Sequence, residues 1–286
     1  MRVKAYAKLN LALDILETRS DGMHELDMLM QSISLADVLV ITHADKLEVR
    51  ADHMAVRGDN TVKRAAELFF RTTGICGGAR IWMEKQIPAQ AGLGGGSSDA
   101  AATLWALNDL YGAGLGIQEL RDLGVRIGAD VPFFFDGGCM RARGIGEKLE
   151  KVKNTCDFFY LLVKPNEGVP TSAAYARYDE RPKTTKIYID AAARSLEAGA
   201  CQAYFASAGN ALQGVGIQIC PPIAEIMQKF QERGADFTMM TGSGSCVFAV
   251  FAQEEMREYA YRKFAQEYPF CQKAENVCCG VEIAQL

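Results

Sequence analysis

Pro88-Ala89-Gln90-Ala91-Gly92-Leu93-Gly94-Gly95-Gly96-Ser97-Ser98-Asp99 is the stretch of this chain least suited to ordinary packing. Glycine loses more conformational entropy on folding than any other residue. A run of it persists where the backbone turns through conformations closed to side chains or approaches a ligand closely. Beyond the run, Ala100, Leu104, Leu107 and Tyr111 recur at helical spacing and Gly112 supplies a stop, which predicts a helix capped by Ser97, Ser98 or Asp99. A glycine loop entering a helix gathers free backbone N–H groups at the positive end of the helix dipole, a natural site for an anion such as phosphate. No Gly-Lys-Ser/Thr is present, and Ser97 stands where a dinucleotide fingerprint needs its third glycine, so neither of those nucleotide-binding patterns applies. From this stretch alone, a plain turn before a helix reads equally well.

Upstream of the loop, Val3, Ala5, Ala7, Leu9, Leu11, Leu13 and Ile15 alternate with Lys4, Tyr6, Lys8, Asn10 and Asp14, which predicts a long strand with one buried face. Lys8 and Asn10 then project from the other face about 6.6 Å apart along the strand, close enough to meet one ligand. A solvated strand face explains them as well. Arg19-Ser20-Asp21-Gly22 is a turn signal leading past Met23 and His24 into apolar segments at Met28 to Leu35 and Val38 to Thr42, followed by a short strand at Leu47 to Val49. Thr61 to Arg71 has helical periodicity with Asn60 at the cap position. Ala79 to Met83 is a strand entering the loop.

Downstream, Ile117 to Ile127 reads as an amphipathic helix ended by Gly128. In Gly128-Ala129-Asp130-Val131-Pro132-Phe133, Asp130 is an acid among apolar neighbours and must be paired, capping or functional. Pro132 early in a short helix makes Asp130 acceptable as a plain cap. The Gly144-Ile145-Gly146-Glu147 turn and the charged run to Lys153 mark a division into domains 1–153 and 154–286. The second opens on an apolar strand, Phe158 to Val163, and alternating helices and strands are expected as far as Pro221. A helix at Ile223 to Phe230 follows, then strands at Phe237 to Met240 and Cys246 to Phe251 flanking Thr241-Gly242-Ser243-Gly244-Ser245. A helix at Arg257 to Tyr268 and a strand at Val277 to Ile283 complete the reading.

The 286 residues are 49% hydrophobic, enough for a substantial core, and 31 basic residues against 35 acidic ones leave a net charge of −4 without a basic block. That excludes the electrostatic footprint of a nucleic-acid binder and favours small-molecule partners. Nine scattered cysteines without metal-ligand spacing read as reduced thiols of a cytoplasmic protein. No apolar run of the N-terminal segment is long enough for a signal peptide or a membrane span.

Ala7-Lys8-Leu9-Asn10-Leu11, the glycine loop and Thr241-Gly242-Ser243-Gly244, in this order, resemble the three motifs of the GHMP small-molecule kinases. Arg19 to Gly22 with His24, Asp59-Asn60-Thr61 and Gly128 to Phe133 extend the likeness over about Ala7 to Phe251, so it is no local accident. The resemblance implies an α+β fold of two domains, the first containing a βαβ unit of unusual handedness and the second ferredoxin-like, with the active site in the cleft between them. By residue match, Asp130 is the expected general base and Lys8 its companion. Pro88 to Ser98 would wrap the ATP phosphates, with Asn60 near the adenine. Asn10, Met23, His24, Tyr175, Thr241 and Gly242 would face an acceptor, which the finer wording implies is a cytidine diphosphate-linked polyol carrying a tertiary 2-hydroxyl. Mg²⁺ would arrive with ATP, held by phosphate oxygens and water, with Ser98 the one side chain offered to it. A monomer or homodimer without nucleic-acid or membrane partners is expected. Two departures stand out: Met23 replaces the tyrosine usual in the family, and Ala211 an acidic residue common after the asparagine at Asn210. A mevalonate-like or homoserine-like acceptor, or a catalytically silent sensor of nucleotide or metabolite, are the other readings.

Overall fold

The computed structural model describes residues 1–52, 60–180 and 186–284, so His53 and Asp59 lie outside it. The chain opens with two long antiparallel strands, β1 (Arg2–Thr18) and β2 (His24–Ala44), joined by the turn at Arg19 to Gly22. A parallel pair follows, β3 (Glu48–Ala51) and β4 (Gly78–Glu84), bridged by helix α1 (Thr61–Thr73) as a βαβ unit. Helices α2 (Gly95–Leu110), α3 (Ile117–Val125) and α4 (Phe133–Asp136) precede the hairpin of β5 (Cys139–Gly144) and β6 (Lys148–Lys151).

The second half begins with β7 (Phe159–Lys164) and then runs through helices α5 (Thr171–Asp179), α6 (Ile189–Glu197), α7 (Cys201–Ser207), α8 (Gln213–Ile219) and α9 (Pro222–Glu232). Strands β8 (Phe237–Met240) and β9 (Val247–Phe251), helix α10 (Glu254–Glu267) and strands β10 (Phe270–Ala274) and β11 (Val281–Ile283) complete it. Where alternating helices and strands were expected before Pro221, the described residues contain helices alone. The reason lies in Ile189, Ala192 and Leu196, which recur at helical spacing and bury one face of α6. Strand β10 escapes the sequence pattern because Phe270-Cys-Gln-Lys-Ala lacks clean alternation, and its pairing with β7 supplies the order.

Among the described residues the first sheet runs β11-β1-β2-β4-β3, with β5 on the other half of β2 and β6 beyond it. The second is antiparallel in the order β10-β7-β9-β8, the arrangement of a ferredoxin-like βαββαβ unit. One strand crosses the division expected after Lys153: β11 leaves the second half and pairs with β1 through Val3 to Ala5.

Strand β1 corrects the expectation of one buried face and one solvated face. Its pairing with β2 is irregular between Tyr6 and Ala7 and again between Asn10 and Ala12. Such irregularities shift the side-chain phase of a strand. Val3, Ala5, Leu13 and Ile15 therefore join the core under α1 and α2, whereas Ala7, Leu9 and Leu11 pack with Tyr160, Tyr204 and Phe248 of the second half. Lys8 and Asn10 are buried at 4% and 1% exposure; β11 pairs only with Val3 to Ala5, and at Lys8 the edge of β1 is covered by Leu93, whose carbonyl accepts the Lys8 N–H.

The thiols also differ from expectation. Thr155 donates its N–H to Leu196 O at 3.1 Å, which lays the segment before β7 along the α6–α7 hairpin, and Cys156 and Cys201 form a disulfide there across a Cα separation of 6.1 Å. The other seven cysteines are free. Among the described residues no helix is long and apolar enough to cross a membrane.

Candidate active site

The glycine loop lies between the two halves and is fastened to both. Lys8 N–H donates to Leu93 O at 3.0 Å on the β1 side, and Ser245 and Cys246 N–H donate to Gln90 O and Ala91 O at 3.1 and 3.2 Å on the other. Gly92 is left-handed at φ 73°, and a Cβ there would stand 2.1 Å from Thr241 O. Gly94, at φ 74°, leaves no more space: a Cβ would meet Phe134 at 2.8 Å and the Lys8 stem at 3.0 Å. These glycines are present because the backbone is left-handed and because another chain segment occupies the place of a side chain.

Helix α2 starts earlier than expected. Its cap is Gly94 rather than Ser97, Ser98 or Asp99, and its first intrahelical bond runs from Ser98 N–H to Gly94 O at 2.9 Å. The amides of Gly95, Gly96 and Ser97 precede that bond and are the donors a helix start offers to an anion. Ser98 corrects a second expectation. It is wholly buried, and its hydroxyl donates to Tyr6 O at 2.7 Å, so it braces the helix against β1 instead of reaching a phosphate or metal. The helix rotates about 100° per residue, and that turn leaves Ser97 facing the cleft and sends Ser98 inward.

The cleft has a volume of about 730 Å³, within the range of small-molecule sites. Pro88 to Ser97 line one wall, and Lys8, Asn10 and Asp130 lie at its base. Met23, His24, Tyr175 and Gly242 are also among the lining residues. Lys8 Nζ sits 3.6 Å from Asp130 Oδ2 and also donates to Asn10 Oδ1. Asp130 does not cap α4, whose N-cap is Pro132; its carboxylate, about one-third exposed, faces the cleft. Burial pushes the Lys8 ammonium below the usual lysine range, and the Asp130 carboxylate opposes that shift.

At the far end His24 Nε2 meets Asp179 Oδ1 at 2.8 Å, and its ring lies 4.7 Å from the Tyr175 ring at 31°. Burial, and then the Asp130 carboxylate, push the Tyr175 phenol up. Met23 is 46% exposed at the rim. Asn60 and Thr241 are not on the cleft wall. Asn60 Oδ1 caps α1 by accepting from Val62 and Lys63 N–H at 2.8 and 3.3 Å, while its neighbour Thr61 reaches the cleft. Thr241 is buried and its Oγ1 accepts from Asn10 N–H at 2.9 Å, holding the strand that carries Lys8.

Sequence reasoning missed the role of Asn210. Its amide donates to Met240 O and Gly242 O at 2.7 and 2.8 Å and so shapes the turn opposite Gly92. Asp179 was missed as well, since only the fold brings it to His24 across 155 positions of sequence.

The arrangement can hold a polyanion on the loop amides, neutralise charge with Lys8 and take a proton on Asp130. Among the described residues no group of three His, Cys, Asp or Glu side chains could hold a metal ion.

Two family models match the chain: the N-terminal domain of the GHMP kinases over residues 60–138, and their C-terminal domain over residues 189–269. A 4-diphosphocytidyl-2-C-methyl-D-erythritol kinase of Clostridium tetani (strain Massachusetts / E88) is 38% identical over 276 residues, which cover 94% of this chain and 97% of that protein. The crystal structure of a 4-(cytidine 5'-diphospho)-2C-methyl-D-erythritol kinase superposes with a TM-score of 0.81 at 32% identity, covering 96% of this chain and 99% of that one. A homoserine kinase from Cytophaga hutchinsonii, at 18% identity and a TM-score of 0.78 over 99% of this chain and 97% of its own, shares the fold alone.

Proposed function

The chain belongs to the GHMP kinases and, within them, to the family of 4-diphosphocytidyl-2-C-methyl-D-erythritol kinases, and from that premise we propose how its residues divide the reaction. It is an ATP-dependent kinase of the methylerythritol phosphate route to isoprenoid precursors, acting on the 2-hydroxyl of 4-diphosphocytidyl-2-C-methyl-D-erythritol. The observation that carries the residue assignment is the Lys8–Asp130 pair, 3.6 Å apart at the base of a cleft walled by a helix start.

The donor phosphates lie along Pro88 to Ser97, with the first-turn amides of α2 directed at their oxygens. The acceptor enters past Met23, its base against the Tyr175 and His24 rings and its alcohol beside Asn10 and Asp130. As the alcohol oxygen bonds to the γ-phosphorus, the bond from that phosphorus to the ADP oxygen breaks and the alcohol proton passes to Asp130. Lys8 stabilises the charge on Asp130 and on the group in flight. Mg²⁺, held by phosphate oxygens and water, supplies further charge neutralisation when bound. Donor and acceptor are small solutes, and we place the reaction in the cytoplasm. Asn60 and Thr241 act through the backbone they hold, α1 and β1.

An ADP-release assay with ATP, Mg²⁺ and a panel of alcohols tests the reading. Release is expected with the cytidine diphosphate-linked polyol and not with mevalonate or homoserine; turnover of either of those in its place would overturn the acceptor assignment.

The lowered affinity of Lys8 for its proton gives a further expectation. Because burial disfavours the ammonium, kcat/KM falls on the alkaline side before an ordinary lysine would titrate near 10.5. Lys8→Arg places a guanidinium there that keeps its proton throughout, and should move that limb upward even if the maximum is lower. Identical limbs in the two proteins would remove Lys8 from the charge-stabilising role.

A further inference from the structure

Outside the cleft, three charged side chains meet in the interior: Asp37 on β2, Lys85 just after β4 and Asp99 in α2. Asp37 is wholly buried and Asp99 is 3% exposed. The Lys85 ammonium donates to both, through Asp37 Oδ2 and Asp99 Oδ2. The remaining Asp37 oxygen accepts from Gln86 and Ile87 N–H at 2.6 and 2.9 Å, the two amides immediately before Pro88. None of the three side chains lines the cleft.

The cluster therefore joins the residue that enters the glycine loop to the helix turn that leaves it, across 14 positions of sequence. A buried ion pair is weak evidence for stability, since desolvation offsets much of its attraction and apolar replacements of similar volume are often neutral or better. Two carboxylates on one ammonium are less favourable still, and burial pushes the Asp99 carboxyl up to about 7 against the opposing pull of Lys85. What the arrangement does supply is direction: Lys85 reaches the chain on both sides of the loop, and Asp37 orients the two amides that lead into it.

We propose that Lys85, bridging Asp37 and Asp99, is a positioning residue of the phosphoryl-donor site, a clasp that closes the ends of the loop and presets the Gly95 to Ser97 amides for ATP. The proposal rests on the reading of Pro88 to Ser97 as the donor site. A clasp of this kind acts on ATP and leaves the acceptor end, around His24 and Tyr175, untouched.

Three variants of the full chain test it, each assayed for kcat, KM for ATP, KM for the cytidine diphosphate-linked acceptor, and Tm. Asp99→Ala cuts the clasp yet leaves Lys85 and Asp37 as a balanced pair, so the fold should survive. KM for ATP is expected to rise about tenfold or more, the scale of lost positioning, with acceptor KM within about twofold of the parent. Asp99→Asn can still accept a hydrogen bond from Lys85 and should recover most of that loss. The third, Ser97→Ala, touches the loop and not the clasp. If Asp99→Ala leaves KM for ATP alone while Ser97→Ala raises it, the clasp is overturned and the donor-site reading stands. A response to neither overturns both. Asp99→Ala and Asp99→Asn shifting all constants and Tm together would show a structural role only and also overturn the clasp.

Discussion

Asp130→Asn is expected to lower kcat by about a hundredfold or more, the usual scale for a lost general base, with the KM values for ATP and acceptor little changed. The amide is isosteric with the carboxylate, so the cleft keeps its shape and Asn10, His24 and Tyr175 keep their places around the acceptor. What disappears is the group proposed to take the alcohol proton as the new O–P bond forms. The substitution also removes the negative partner 3.6 Å from Lys8 Nζ. That partner is what raises the Lys8 proton affinity against burial, so the alkaline limb of the residual activity should move to lower pH than in the parent. Steady-state kinetics across pH read both effects. Turnover near that of the parent would remove Asp130 from the reaction.

Gly92→Ala should be nearly as damaging, by a different route. The residue is left-handed, which costs roughly 1–2 kcal/mol for a side chain. Its Cβ would also stand 2.1 Å from Thr241 O, backbone that no rotamer change can move aside. Forcing the two segments apart adds about 1–3 kcal/mol, the scale of overpacking, so a loss of roughly 2–5 kcal/mol is expected. Because Thr241 anchors β1 through Asn10 N–H, the displacement should also raise KM for ATP. Gly112→Ala is the control: it too is left-handed, at φ 58°, but has nothing within 4 Å of the added Cβ. Chemical denaturation of the two variants separates the terms. Equal losses would mean that conformation alone, and no contact between the halves, explains Gly92.

How much of this site could be read beforehand differs from residue to residue. Lys8, Asp130 and the loop stood out as unusual residues in short motifs, an acid among phenylalanines and a run of glycines before an apolar helix, but each had a plain structural reading and only the family resemblance gave them their proposed roles. Met23, His24 and Tyr175, which the family resemblance named, line the cleft. Ser98 misled because two adjacent hydroxyls are equivalent in a sequence, while on a helix about 100° separates them and only Ser97 faces the cleft. Asn60 and Thr241 were singled out for ligand contact and instead hold backbone, a choice between partners that motif spacing cannot make.

The fold divides the same way. Most helices and strands follow from apolar periodicity, yet the alternation along β1 gave no sign that two irregularities would send Val3 and Ala5 into one core and Ala7, Leu9 and Leu11 into another. Strand β11 has a legible pattern, but its return to β1 depends on a partner edge at the other end of the chain.

By itself, then, the amino-acid sequence determined the local forms: where the backbone turns, which segments are helix or strand, and which short motifs hold an acid, a cation and a run of glycines. Each depends on sterics and periodicity over a few residues. Only the tertiary structure decided the pairings: Asp179 with His24, Lys85 with Asp37 and Asp99, Cys156 with Cys201, and Gly92 with Thr241. Packing the two halves together brings Asp179 to His24 and Thr241 to Gly92, and packing within one half brings Lys85 to Asp37 and Asp99 and Cys201 to Cys156.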